Sequence, residues 1–236
     1  GTPTTSDNIT WNIPVTATAD GTVIVSLAAA KVTDVVGNNN TASTSTDNSV
    51  LYDTPLTVTL NQAVAQADPT NAATINFTAV FNKAITPASF IAGDVTITGT
   101  ATGAVAGTPT TADNITWNIP VTGMSAAGTV IAALGAGVVT DPAGFSNQAS
   151  TFTDKTVTYD NVPPSVTINQ AVAQLDPTNG ATINFTVVFS EAINPATFTA
   201  GDIAISGTAI GATAGTPTTA DNITWNVPVT GMTTDG

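Results

Sequence analysis

The sequence predicts an all-β protein built from repeated β-sandwich domains. Three observations predict this fold class: a long internal repeat, apolar residues with a period of two, and turn-forming residues between the alternating segments. Residues 107–118 (GTPTTADNITWN) return unchanged at 215–226, 108 residues later, and residues 1–12 differ from them only at Ser6. A period of this length matches a whole small domain and is too long for one coil of a solenoid.

The complete copy of the repeat, residues 54–160, predicts seven strands. Ile115, Trp117, Ile119 and Val121 alternate with polar residues, which is typical of a strand with one buried face. The strands are A 56–61, B 74–81, C 94–98, D about 104–108, E 114–121, F 129–134 and G 151–159. Seven short strands with turns between them favour a two-sheet, immunoglobulin-like sandwich. Because the chain has no cysteine, apolar packing alone must hold the two sheets together.

The repeat also divides the chain into domains. Residues 1–53 correspond to strands E to G, residues 54–160 to a complete repeat, and residues 161–236 to strands A to E of a third copy. Proline-containing linkers at 52–55 and 159–164 predict short, stiff connections between neighbours. We expect the partial copies to continue in a longer chain; the alternative is that neighbouring chains complete them by strand exchange.

Composition excludes several classes of function. The chain has sixteen acidic residues, three lysines and a formal net charge of −13, which argues against binding to nucleic acid or to an anionic membrane surface. It lacks histidine and cysteine, so the usual catalytic bases and nucleophiles are missing and we expect no enzymatic activity. No apolar run approaches the length of a membrane span, so we expect no membrane insertion in this segment.

Several motifs resemble the tandem bacterial Ig-like repeats of large surface and adhesin proteins. They lie at residues 58–71 (VTLNQAVAQADPTN), 75–78 (INFT), 189–193 (FSEAI), 201–203 (GDI), 21–24 (GTVI) and 33–40 (TDVVGNNN). The resemblance implies an extracellular, non-enzymatic protein whose partners are neighbouring repeats, and whose domain junctions often bind Ca²⁺. It says little about any further ligand.

Acidic residues near the second linker are the candidate metal ligands. We expect Ca²⁺, which prefers oxygen ligands, to be held there by some of the following residues: Asp68, Asp160, Asp176, Glu191 and Asp221. The alternative is that these side chains cap turns and remain solvated. Glu191 aligns with Lys83 of the preceding copy, so Lys83 would neutralise the equivalent boundary near Asp53 without a metal.

The motifs leave three functions open. The first is a structural segment of an extracellular surface protein, either an adhesin stalk or a surface fibre. The second is a self-assembling filament subunit, and the third is a carbohydrate-binding module in which Trp11, Trp117 and Trp225 stack on sugars. Since the tryptophans are in phase with strand isoleucines, we expect them to lie in the core instead.

Overall fold

A computed structural model describes the strands and short helices of residues 1–234. The protein is all-β with antiparallel sheets, and it divides into two compact units, residues 1–161 and a second unit that begins at Val162. The helical elements described are four short 3-10 helices, at Pro87–Ser89, Ala92–Asp94, Pro195–Thr197 and Ala200–Asp202. No helix in this part of the chain is long and apolar enough to cross a bilayer.

The first unit contains twelve described strands. They are β1 (Thr4–Thr5), β2 (Trp11–Asn12), β3 (Gly21–Ile24), β4 (Ser49–Tyr52), β5 (Val58–Gln62), β6 (Thr74–Phe81), β7 (Val95–Thr98), β8 (Val105–Ala106), β9 (Thr110–Thr111), β10 (Thr116–Thr122), β11 (Gly128–Leu134) and β12 (Thr156–Tyr159). The second unit has β13 (Val166–Gln170), β14 (Ile183–Phe189), β15 (Thr213–Ala214), β16 (Thr218–Thr219) and β17 (Thr224–Thr230).

Residues 54–160 form two sheets around one core. The first sheet has the order β5-β6-β10-β8, with β9 also on β10, and the second has the order β12-β11-β7. Leu60, Phe77 and Ile119 from the first sheet and Val130 and Val157 from the second are fully buried in the same cluster. The period-two alternation of these strands therefore places one face of each sheet in a shared apolar interior.

The strand predictions for this copy match the structure with local differences. Predicted strand D is split into β8 and β9 on either side of Pro109, which has no N–H to donate to a ladder. Predicted strand E begins two residues late, at Thr116, because the preceding residues form a tight turn. Predicted strand G is reduced to β12, and Thr151 forms only an isolated bridge to Thr59.

The described residues of the second unit, 162–234, repeat the first sheet of the complete copy but not the second. The order β13-β14-β17-β15 matches β5-β6-β10-β8, and Asn169 pairs with Thr186 as Asn61 pairs with Thr78. Predicted strand C is not formed at residues 203–206. Its counterpart β7 is held by β11, and the described part of the second unit has no strand equivalent to β11.

Residues 1–53 form two small hairpins, β1–β2 and β3–β4, with much exposed apolar surface. Trp11 is 52% exposed, whereas its counterpart Trp117 is 3% exposed. The prediction that Trp11 lies in the core is therefore wrong. Phe90 packs edge-on against Trp117 with the ring centroids 5.2 Å apart, and residues 1–53 supply no counterpart of Phe90.

Candidate functional site

The first and last parts of the complete repeat are joined in parallel. Isolated parallel bridges pair Leu56 with Asn147 and Thr59 with Thr151. The backbone N–H of Gln148 donates to the Leu56 carbonyl at 2.8 Å, and that of Thr151 donates to the Val58 carbonyl at 3.0 Å. In the other direction, Leu60 N–H donates to the Thr151 carbonyl at 2.9 Å. We call this connection between residues 56–62 and 147–154 the strand clamp.

Side chains extend the strand clamp beyond its backbone bonds. Asn61 Oδ1 accepts hydrogen bonds from the backbone N–H groups of Thr153 and Asp154, both at 2.8 Å. The Gln62 backbone N–H donates to the Asp154 carbonyl at 2.7 Å, and its Nε2 donates to Asp154 Oδ2 at the same distance. Residues that are 92 or 93 positions apart in the chain are therefore linked by both backbone and side-chain bonds.

The direction of the strand clamp determines how it bears a load. Residues 56–62 leave the N-terminal boundary of the repeat, and residues 147–154 run parallel to them toward its C-terminal boundary. A force that separates the two boundaries pulls the paired segments past each other along their length. The hydrogen bonds then share the load in shear and must break together, whereas peeling would break them one at a time.

A repeated turn accounts for the acidic residue that precedes each tryptophan strand. Asp113 Oδ1 accepts from the backbone N–H groups of Thr116 at 2.7 Å and Ile115 at 2.9 Å, and Asn114 adopts the left-handed φ of 60°. Asp7 and Asp221 make the same pairs of bonds in the other copies. Donation by two backbone amides lowers the pKa of Asp113 and of Asp221, and it lowers that of Asp7 to about 2.

Lys83 lies at the boundary between residues 1–53 and the complete repeat. Its ammonium forms an ion pair with Asp53, donates to the Thr54 carbonyl oxygen at 2.6 Å, and lies 3.2 Å from Asp141 Oδ2 and 3.4 Å from Asp20 Oδ2. The predicted pairing of Lys83 with Asp53 is thus present. The contributions of Asp20 and Asp141 are not apparent from sequence, because they come from distant loops.

The charges of this group interact strongly. Burial alone would lower the pKa of Lys83, but its pairing with Asp53, Asp141 and Asp20 outweighs burial and raises it. Hydrogen bonding to Lys83 opposes protonation of Asp53, but burial and the neighbouring Asp141 carboxylate raise the pKa of Asp53. Burial would likewise raise the pKa of Asp141, but the Phe145 amide, Asp53 and Lys83 lower it.

The five predicted metal ligands occupy different local settings. Asp68 Oδ1 accepts from Thr158 N–H at 2.8 Å, and Asp221 Oδ1 is engaged in its turn. Asp160 donates its backbone N–H to the Thr70 carbonyl, Asp176 is exposed, and Glu191 is half-buried. Within residues 1–234, no group of three or more acidic side chains is arranged to hold a metal ion. Calcium binding by these residues remains a prediction.

The loops that follow β3 and β11 use their polar residues to hold the backbone. Asn147 Oδ1 accepts from Val138 and Val139 N–H, and its Nδ2 donates to the Gly135 and Gln148 carbonyls. Asn40 makes the equivalent four bonds in the first copy. These asparagines therefore act as internal braces of the loops.

The tryptophans of the two later copies are buried. Trp117 and Trp225 are each 3% exposed, and both pack against a phenylalanine ring at 5.2 Å. Their ring faces are not available to stack on a sugar. An apolar cavity of about 310 Å³ lies in the second unit and is lined by Ile168, Phe185 and Ile203 among others.

Comparisons with known proteins found no match to this chain. No family model matches the chain, and searches of curated proteins and of solved structures found no match either.

Proposed function

We propose that this chain is a non-enzymatic, load-bearing segment of an extracellular bacterial surface protein, built from tandem immunoglobulin-like repeats. In this proposal each repeat adds length and stiffness to a stalk or a surface fibre. Its direct partners are the neighbouring repeats of the same protein. The chain binds neither nucleic acid nor membrane, in keeping with its strongly negative charge.

The strand clamp is the observation that carries this proposal. A binding module needs no particular resistance between its two chain ends, whereas a stalk domain is pulled through them. Parallel pairing of residues 56–62 with 147–154 is the arrangement that resists such a force. The similar sequences of the repeats and their matching strand register support a role in which one unit is used many times.

Electron microscopy of the producing cells tests this proposal. Antibody raised against residues 54–160 would be applied to intact cells, and the gold label would be mapped relative to the envelope. We expect label outside the cell, either along thin projections or along ordered fibres. Label confined to the cell interior, with intact cells unstained, would overturn the proposal.

A second candidate function is self-assembly into a filament, in which a neighbouring chain covers the apolar face of residues 162–234. Ile168 is 55% exposed, whereas its counterpart Leu60 is fully buried beneath the second sheet of the complete repeat. In that repeat the cover includes the β11–β12 hairpin, where Gly128 pairs with Tyr159. The β3–β4 hairpin has the same register, with Gly21 paired to Tyr52. A second copy would therefore cover the open face with its β3–β4 hairpin.

Light scattering over a concentration series tests the filament candidate. Val23 corresponds to the buried Val130, so Val23→Lys should prevent the hairpin from packing into a second copy. The control is Thr22→Lys, on the opposite face of β3. We expect wild type and the control to assemble as concentration rises while Val23→Lys remains monomeric. A wild type that stays monomeric at every concentration would exclude this candidate.

A further inference from the structure

Lys83 is surrounded by oxygen atoms from separate parts of the chain. Asp20 precedes β3, Asp53 and Thr54 follow β4, and Asp141 lies in the loop after β11. The side chains of Asp53 and Asp141 are only 8% and 2% exposed. Residues 1–53 and the complete repeat thus both contribute carboxylates to one buried group, which we call the carboxylate cage.

The carboxylate cage has more negative charge than Lys83 can neutralise. Three carboxylates face one ammonium, and burial makes their mutual repulsion costly. Asp53 Oδ2 is buried and accepts no hydrogen bond among the described residues, and the buried Asp141 Oδ2 has the Lys83 ammonium 3.2 Å away. Both oxygens belong to side chains that contact Lys83. The Lys83 ammonium is the positive charge that offsets part of this repulsion.

We infer that the carboxylate cage is a cation-binding site in which the Lys83 ammonium is the resident cation, and that this lysine makes the boundary independent of dissolved divalent ions. This role of Lys83 in holding the boundary together is the same in a stalk and in a fibre.

The chemistry of the cage explains why a divalent ion would replace a missing ammonium. With Lys83 removed, the remaining groups are three carboxylates and the Thr54 carbonyl, all of them hard oxygen ligands suited to Ca²⁺. The ammonium lies 3.2 Å from Asp141 and 3.4 Å from Asp20. Ca²⁺–oxygen distances are about 2.3–2.6 Å, so these side chains would close in by roughly 1 Å. The present arrangement is therefore shaped for an ammonium.

The sequence of the next copy shows that this lysine is not a general feature of the repeat. Glu191 occupies the position of Lys83, 108 residues later, and Asp160 occupies the position of Asp53. Glutamate cannot supply an internal cation. The lysine is therefore a property of this one boundary, which makes its substitution a specific test.

Hydrogen exchange of one amide reports on the cage in the full chain. The Thr54 backbone N–H donates to Asp20 Oδ1 at 2.6 Å, so the protection of this amide depends on Asp20 remaining in place.

In Lys83→Met, repulsion among the carboxylates should drive the partly exposed Asp20 outward. In chelator, we expect the Thr54 amide of Lys83→Met to exchange at least about tenfold faster than the Thr54 amide of wild type. Addition of about 1 mM Ca²⁺ should restore its protection in the variant and leave wild type unchanged. Lys155→Met is the matched control, because Lys155 lies over the Phe152 ring and far from the cage in sequence.

Each outcome decides the inference. A Thr54 amide that stays protected in Lys83→Met with chelator would show that the ammonium does not hold the boundary. Loss of protection that Ca²⁺ fails to restore would show that the cage is not a cation site. If Lys83→Met fails to fold in chelator, Lys83→Glu, which carries the residue of the next copy, provides a second test. Folding that is recovered on addition of Ca²⁺ supports the inference, and folding that is not recovered contradicts it.

Discussion

At the scale of single residues, the repeated Asp turn connects charge to stability. Asp113, Asp7 and Asp221 each accept two backbone amides, and these bonds favour the ionised carboxylate. The folded-state pKa of each group lies below the ordinary value of 3.8. The unfolded chain then takes up protons first as the pH falls. The stability that these bonds contribute is fully present at a pH above the ordinary aspartate pKa. It is lost as the pH falls through the pKa of the folded state.

Asp113→Asn tests this linkage while keeping an acceptor oxygen in the turn. We expect the thermal unfolding midpoint of the variant to fall less steeply than that of wild type between about pH 4 and pH 2. Circular dichroism at a series of pH values provides the measurement. Asp47→Asn, an exposed aspartate outside the turns, is the control. Parallel acid limbs for Asp113→Asn and wild type would show that the turn carboxylate does not contribute.

Residue types in the sequence predicted some of these roles and not others. Turn capping was the alternative expected for Asp221, whose turn contacts are local. Asn114 was expected in strand E, so the turn at this residue was not predicted. The comparison of Lys83 with Glu191 predicted a neutralised boundary near Asp53. Asp20 and Asp141 could not be assigned to the same group, because they lie 63 and 58 positions from Lys83 in the chain. Only the folded arrangement brings them together.

At the scale of elements, period-two patterning predicted the strands of the complete copy because each strand buries alternate side chains. Ile75, Phe77, Ala79 and Phe81 of β6 are all buried, as their spacing requires. The strand clamp was not predictable in this way. Its partners in residues 56–62 and 147–154 pair through backbone atoms, and a hydrophobic pattern contains no information about which distant segment supplies them.

Asn61→Ala tests the strand clamp at the level of one side chain. The substitution removes the acceptor of the Thr153 and Asp154 amides and should cost about 1–3 kcal/mol in the free energy of unfolding. Asn169 holds the same register position in β13, so Asn169→Ala is the matched control without a clamp. Hydrogen exchange should show faster opening at residues 151–154 in Asn61→Ala alone. Equal protection in both variants would contradict the assigned role of Asn61.

At the scale of the whole molecule, the units differ in how completely their cores are covered. Residues 54–160 have both sheets, whereas the described residues of the second unit form one sheet with an open apolar face. Sequence predicted this difference, because residues 161–236 correspond only to strands A to E. It did not predict that strand C would also be lost, since the pairing of β7 with β11 is a tertiary contact. The complete repeat is therefore the part expected to bear force.

Single-molecule force spectroscopy of the full chain, pulled through its two ends, tests the load-bearing claim most directly. We predict one high-force rupture whose contour-length gain matches unfolding of residues 54–160, roughly 35–39 nm at about 3.3–3.6 Å per residue less the folded length of the repeat. The partial copies should extend at lower force, because neither contains the strand clamp. A chain that extends without a distinct rupture of this length would contradict the account, since the strand clamp would then carry no load.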